Sequence, residues 1–115
     1  MKSPITTHVL DITRGKPAEG ITTVLEFKKE PGAWKELSRS KTNSEGRITN
    51  FFPENFAIDA GVYRLTFFTD AYFRGLGVES FYPLVTVTFE VKDTAAHYHV
   101  PLLLSPHGYS TYRGT

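Results

Sequence analysis

The sequence predicts an all-β chain, a two-sheet antiparallel β-sandwich of roughly seven to eight strands with one short helix. Three observations predict it. Thr, Val, Tyr and Phe recur in short runs, and aromatic residues make up 14% of the chain, a composition that suits half-buried strands. Apolar and polar residues alternate along several of those runs, which is the side-chain period of a strand. The 9 Gly and 7 Pro are spread along the chain as turn punctuation.

Residues 5–12 read as a first strand, stopped by Arg14-Gly15-Lys16-Pro17. In the second strand Ile21, Thr23, Leu25 and Phe27 alternate with Thr22, Val24, Glu26 and Lys28, and Glu30-Pro31-Gly32 turns the chain. Residues 34–40 make a third, polar strand suited to a sheet edge. Residues 42–46 form a loop that Arg47 follows directly, and residues 51–58 are a short apolar stretch broken by Pro53. Residues 62–69 are a strand with Tyr63, Leu65 and Phe67 on one face. Asp70 then caps a helix over residues 71–76 that ends before Gly77. Residues 84–91 place Val85, Val87, Phe89 and Val91 on one face. A strand over residues 97–104, a turn at Ser105-Pro106-His107-Gly108 and a strand over residues 109–115 complete the chain.

At 115 residues the chain is a single domain, 1–115. With 40% hydrophobic and 22% charged residues it has an ordinary globular composition. A net charge of +1 gives no basic footprint for nucleic acid. No apolar run approaches the roughly 18 residues of a membrane span. The start, Met1-Lys2-Ser3-Pro4, leads into an alternating segment rather than a secretory leader. The expectation is a cytoplasmic protein. A peroxisomal address stays open for a eukaryotic source, although Arg113-Gly114-Thr115 is not an S-K-L ending. With no Cys, the chain has no disulfide, no Cys-ligated zinc and no thiol nucleophile.

Period-2 geometry sorts the 97–104 strand into two faces. Tyr98, Val100, Leu102 and Leu104 form the apolar core face, so His97, His99, Pro101 and Leu103 point outward. The next strand sorts into Tyr109, Thr111, Arg113 and Thr115 against Ser110, Tyr112 and Gly114. An outer face that mixes imidazole, phenol, hydroxyl and apolar groups suits a binding surface or an oligomer interface. Two His at i and i+2 are most often solvated or structural. They also place two metal ligands on one strand face, with His8 or a carboxylate as a third, but no patterned carboxylate completes the set. No G-x-S-x-G elbow and no phosphate-binding glycine loop is present.

Three blocks resemble the signatures of the transthyretin-related proteins, in family order and across essentially the whole chain. The first is Thr7-His8-Val9-Leu10-Asp11 followed by Gly15-Lys16-Pro17-Ala18, and the second is Thr42-Asn43-Ser44-Glu45-Gly46-Arg47. The third runs from His97-Tyr98-His99-Val100-Pro101 to Tyr112-Arg113-Gly114-Thr115. That family holds a hormone carrier and 5-hydroxyisourate hydrolases on one fold. The enzymes are marked by a His, an Arg, an H-x-H pair and a Y-R-G-S ending. Here those marks are His8, Arg47, His97 with His99, and Tyr112-Arg113-Gly114-Thr115, with Thr in place of the family's terminal Ser. The carrier has other residues at the His8, Arg47, His99 and Tyr112 positions.

The resemblance therefore implies hydrolysis of the N1–C6 amide of 5-hydroxyisourate in urate breakdown, without cofactor or metal. It assigns His8, Arg47 and His99 to catalysis, and His8, Arg47 and Tyr112 to substrate binding. His97, Ser110, Arg113, Gly114 and Thr115 take secondary places; by alternation Arg113 reads as structural, and Asp11 and Arg14 serve the first turn. The family also implies a homotetramer, a dimer of dimers whose facing sheets enclose a channel lined by His99, Leu103, Ser110 and Tyr112. A small-molecule, thyroid-hormone-like carrier on the same fold is the alternative.

Overall fold

Alternating runs cut by turns assemble into two packed sheets. The structure, a computed structural model, describes residues 3–115; Met1 and Lys2, where the reading of the N-terminus begins, lie outside the described residues. The described elements are β1 (Ile5–Asp11), β2 (Lys16–Pro17), β3 (Thr22–Glu30), β4 (Ala33–Lys41), β5 (Arg47–Ile48), β6 (Gly61–Phe67), α1 (Thr69–Gly75), β7 (Val85–Val91), β8 (Tyr98–Ser105) and β9 (Gly108–Thr111). One sheet runs β2-β1-β8-β9, with β5 also paired to β1; the other runs β4-β3-β6-β7. The polar strand β4 sits at a sheet edge as its composition predicts.

The alternation sets which faces meet. Ile5 and Val9 of β1 and Val100, Leu102 and Leu104 of β8 are buried in one hydrophobic cluster with Leu25, Tyr63, Leu65, Phe67, Val85 and Val91 of the other sheet. Burying each such side chain is worth about 1.5–3 kcal/mol, so this interior supplies the main driving force for the sandwich. Helix α1 places Phe73 in the same cluster, while its neighbour Tyr72 donates to the buried Asp11 carboxylate at 2.8 Å. Asp11 also accepts the backbone N–H groups of Thr13 and Arg14, both at 3.1 Å, and so holds the first turn as expected.

Four details differ from the sequence reading. Most ladders are antiparallel, but β1 and β8 pair in parallel, from Ile5 opposite Tyr98 to Asp11 opposite Leu104. The segment after the first turn and the residues after the 42–46 loop each add a two-residue strand, β2 and β5, both hydrogen-bonded to β1. Asp70 does not cap α1. The helix begins two residues before the expected start, at Thr69, with no side-chain cap, and the Asp70 carboxylate instead pairs with Arg74 at 2.9 Å and accepts from Ser80 at 2.9 Å. The last strand ends at Thr111, after which Gly114 rejoins the sheet through a single bridge to His99.

Candidate active site

Register places the chemistry-bearing residues on one sheet face. Thr6, His8 and Leu10 of β1 stand opposite His99, Pro101 and Leu103 of β8, and partners across a ladder share a face. His8 is also opposite Arg47 of β5. On the far side of β8, Ser110 is opposite Leu103 and Gly114 is bridged to His99; Tyr112 lies between them in sequence, past the end of β9. The outward set is therefore Thr6, His8, Arg47, His99, Ser110 and Gly114, drawn from both ends and the middle of the chain.

Arg47 reaches β1 because the loop before it is tightly built. The Asn43 side-chain oxygen accepts the backbone N–H groups of Glu45 and Arg47, each at 2.9 Å. Gly46 then lies at φ +75°, a conformation that costs a β-carbon residue strain, and its carbonyl accepts from Val9 N–H at 2.7 Å. A Cβ at Gly46 would collide with the Val9 carbonyl oxygen. Only glycine lets the loop lie flat on β1 and deliver Arg47 beside His8. There the imidazole pKa is lowered, first by burial and then by the Arg47 charge, against opposing contributions from the Glu45 backbone and carboxylate. A depressed pKa keeps His8 neutral, and so able to accept a proton, near pH 7.

Beside them on the same face a cavity of about 350 Å³ is lined by Thr6, Arg47, Glu54, His97, His99 and Thr115, together with Ser3 and Thr49. The rings of His97 and His99 lie nearly parallel, 13° apart with centroids 6.4 Å apart. Both bond to one hydroxyl: Thr6 Oγ1 is 2.8 Å from His99 Nδ1 and 3.1 Å from His97 Nε2. Gly114 packs on the His99 ring so closely that a Cβ there would fall 2.6 Å from Cδ2.

The structure thus brings Arg47, His97, His99 and Thr115 around one cavity and sets His8 beside it on the same face, two residues along β1 from Thr6. Tyr112 is 57% exposed and borders an adjoining groove of about 240 Å³ with His99 and Arg113. Ser110 is exposed on β9. The Arg113 guanidinium stacks 4.4 Å over the Tyr98 ring. Among the described residues no three His, Asp or Glu gather into a metal-holding group. Thr6 and Glu54 were not singled out by sequence. Thr6 carries one signal, its even spacing from His8, but its partners lie more than ninety residues away in sequence.

A neutral imidazole, a guanidinium, hydroxyl groups and a small polar cavity on one face suit addition of water to a polar carbonyl compound. Residues 5–114 match the HIUase/Transthyretin family. The chain is 46% identical to the 5-hydroxyisourate hydrolase of Salmonella dublin over 111 residues, covering 96% of this chain and 80% of that one. The solved structure of Klebsiella pneumoniae 5-hydroxyisourate hydrolase superposes with a TM-score of 0.85 at 39% identity, covering 98% of this chain and 99% of that one. Sea bream transthyretin, solved in complex with thyroxine, superposes with a TM-score of 0.89 at 32% identity, covering 98% and 96%. Backbone similarity therefore does not separate the hydrolase from the transthyretin, and the side chains on the sheet face have to.

Proposed function

The chain belongs to the HIUase/Transthyretin family, and from that premise we propose that it is a 5-hydroxyisourate hydrolase acting in the breakdown of urate towards allantoin. The observation that carries the reading is that His8, Arg47 and His99 share one sheet face, with His99 and Arg47 on the wall of a single cavity; Tyr112 borders the adjoining groove with His99.

In this reading water adds to the C6 carbonyl of the substrate. A neutral His removes a proton from the water as it attacks, and negative charge builds on the carbonyl oxygen. Arg47, always charged and planar, stabilises that oxygen and holds the ring. Tyr112 presents its phenol to the ring edge. Breaking the N1–C6 bond, with a proton delivered to N1, opens the ring to 2-oxo-4-hydroxy-4-carboxy-5-ureidoimidazoline. The scheme uses no cofactor or metal. Thr115 keeps the hydroxyl of the family's Ser and adds a methyl group at the cavity wall.

An open sheet face needs a cover to exclude water. We assign that cover to other copies of the chain in a homotetramer, a dimer of dimers with His99, Leu103, Ser110 and Tyr112 along a central channel. Elsewhere on the chain, Phe81, Tyr82, Leu84 and Tyr109 expose a second apolar patch suited to contact between copies, with Phe81 70% exposed and the Tyr82 and Tyr109 rings edge to face at 5.3 Å. The competing carrier reading draws on the superposition with sea bream transthyretin. It predicts ligand binding without turnover. The test is to generate 5-hydroxyisourate in situ and follow its decay. Acceleration by the protein supports the hydrolase, and decay at the spontaneous rate favours the carrier.

A further inference from the structure

Neither the family match nor the site residues above give Thr6 a role. It is 5% exposed, on the sheet face between β5 and β8, and its hydroxyl is shared by two imidazoles. A hydroxyl has one proton to donate and lone pairs to accept with, and a neutral imidazole has one N–H and one bare nitrogen. Thr6 therefore donates to one ring and accepts from the other, and the two choices give opposite tautomers at His99.

His97 decides between them. Its Nδ1 is buried with no hydrogen-bond partner among the described residues. If Thr6 donated to His97 Nε2, the His97 proton would have to sit on Nδ1, leaving a buried N–H with nothing to bond. Orphaned buried N–H donors are rarer and costlier than unfilled acceptor lone pairs. The favourable arrangement puts the His97 proton on Nε2, donated to Thr6, and the Thr6 proton on the bare Nδ1 of His99.

We propose that Thr6 is a positioning residue that, with His97 behind it, fixes His99 as the Nε2–H tautomer, so that His99 offers the substrate a hydrogen-bond donor rather than a base. The proposal rests on the hydrolase reading for its catalytic consequence: proton removal from water then falls to His8, and His99 joins Arg47 in stabilising the oxygen on which charge builds. It rests on the hydrogen-bond geometry alone for the tautomer. Gly114, bridged to the His99 backbone, leaves no room for a side chain on the Cδ2 edge of the ring, and the Nδ1 bond to Thr6 lies on the other edge.

The experiment is nitrogen NMR of the imidazole side chains in the full-length protein at pH 8, in the wild type, Thr6→Val and Thr6→Ser, with turnover of 5-hydroxyisourate measured on the same samples. The wild type is expected to show His99 with a bare Nδ1 and a protonated Nε2, and His97 protonated on Nε2. Thr6→Val, which loses only the hydroxyl, should give mixed His99 tautomers and a kcat lower by roughly 10-fold to 10²-fold, the scale of misplaced catalytic groups. Thr6→Ser should restore both the tautomer and the rate. His99 protonated on Nδ1 in the wild type overturns the proposal. So does a Thr6→Val protein with unchanged His99 signals and unchanged kcat. If the wild type leaves 5-hydroxyisourate decay unaccelerated, the hydrolase reading fails, while the nitrogen signals still decide the tautomer.

Discussion

His8 stands directly opposite Arg47 in the β1–β5 ladder, and burial together with that guanidinium lowers the imidazole pKa below its ordinary 6.5. The pairing joins a base candidate to a charge-bearing group without the two competing for one role. The cation discourages protonation of the imidazole, and the imidazole, being neutral, leaves the cation free to face an anion.

The first prediction follows from that pair. The groups acting on His8 are the Arg47 charge, which lowers its pKa, and the Glu45 backbone and carboxylate, which raise it. Titrated by NMR, His8 should have a midpoint below 6.5. Arg47→Gln removes a lowering influence, so the midpoint should move up. The acid limb of the rate profile should move with it, since a protonated imidazole cannot accept a proton. A midpoint that stays in place would dissociate the two residues.

Arg47→Lys should lose nearly as much kcat as Arg47→Ala, roughly the 10²–10³-fold of a lost oxyanion-stabilising donor. One ammonium does not reproduce a planar two-pronged guanidinium. Steady-state kinetics on the two variants read this directly, and a Lys variant with near-normal kcat would reduce Arg47 to a point charge.

Gly114→Ala tests how tightly the chain end holds His99. The added Cβ would lie 2.6 Å from His99 Cδ2, so the ring has to move. Gly114 is joined to the sheet by a single bridge and lies outside the core cluster, so the melting temperature should change little. The expected result is a kcat lowered about tenfold or more at nearly constant stability, consistent with the sensitivity of catalysis to small displacements. Equal losses of stability and rate would point to misfolding of the segment instead.

The arrangement of strands was legible in part. Tyr63, Leu65 and Phe67, and likewise Tyr98, Val100, Leu102 and Leu104, could be assigned to the interior because a strand's period of two fixes the face once one residue is placed. The same period put His99 and Tyr112 outside together. It says nothing about partners, so the parallel pairing of β1 with β8 was not visible, nor was the meeting of Thr6 with His97 and His99 that depends on it. In the sequence Arg47 simply follows a loop. Its place beside His8 comes from the turn at Asn43 and the positive φ of Gly46, which only the folded backbone reveals. The residue type of Asp70 suits a cap, whereas ion pairing with Arg74 gives it another place one residue inside the helix.

The tetramer has its own prediction. Sedimentation should find an assembly of four chains at working concentration. Phe81→Ser, at the most exposed large apolar side chain, should dissociate it and lower activity together if Phe81 lies in an interface. A fully active monomer would remove the need for a cover over the sheet face.

The most direct measurement is the decay of 5-hydroxyisourate generated in situ, followed with the wild-type protein and with His8→Asn. The wild type should accelerate ring opening well beyond the spontaneous rate, and His8→Asn should lose roughly 10²–10⁴-fold in kcat, the usual contribution of a general base. Spontaneous-rate decay with the wild type, or a near-normal kcat in His8→Asn, would contradict hydrolysis by His8-activated water.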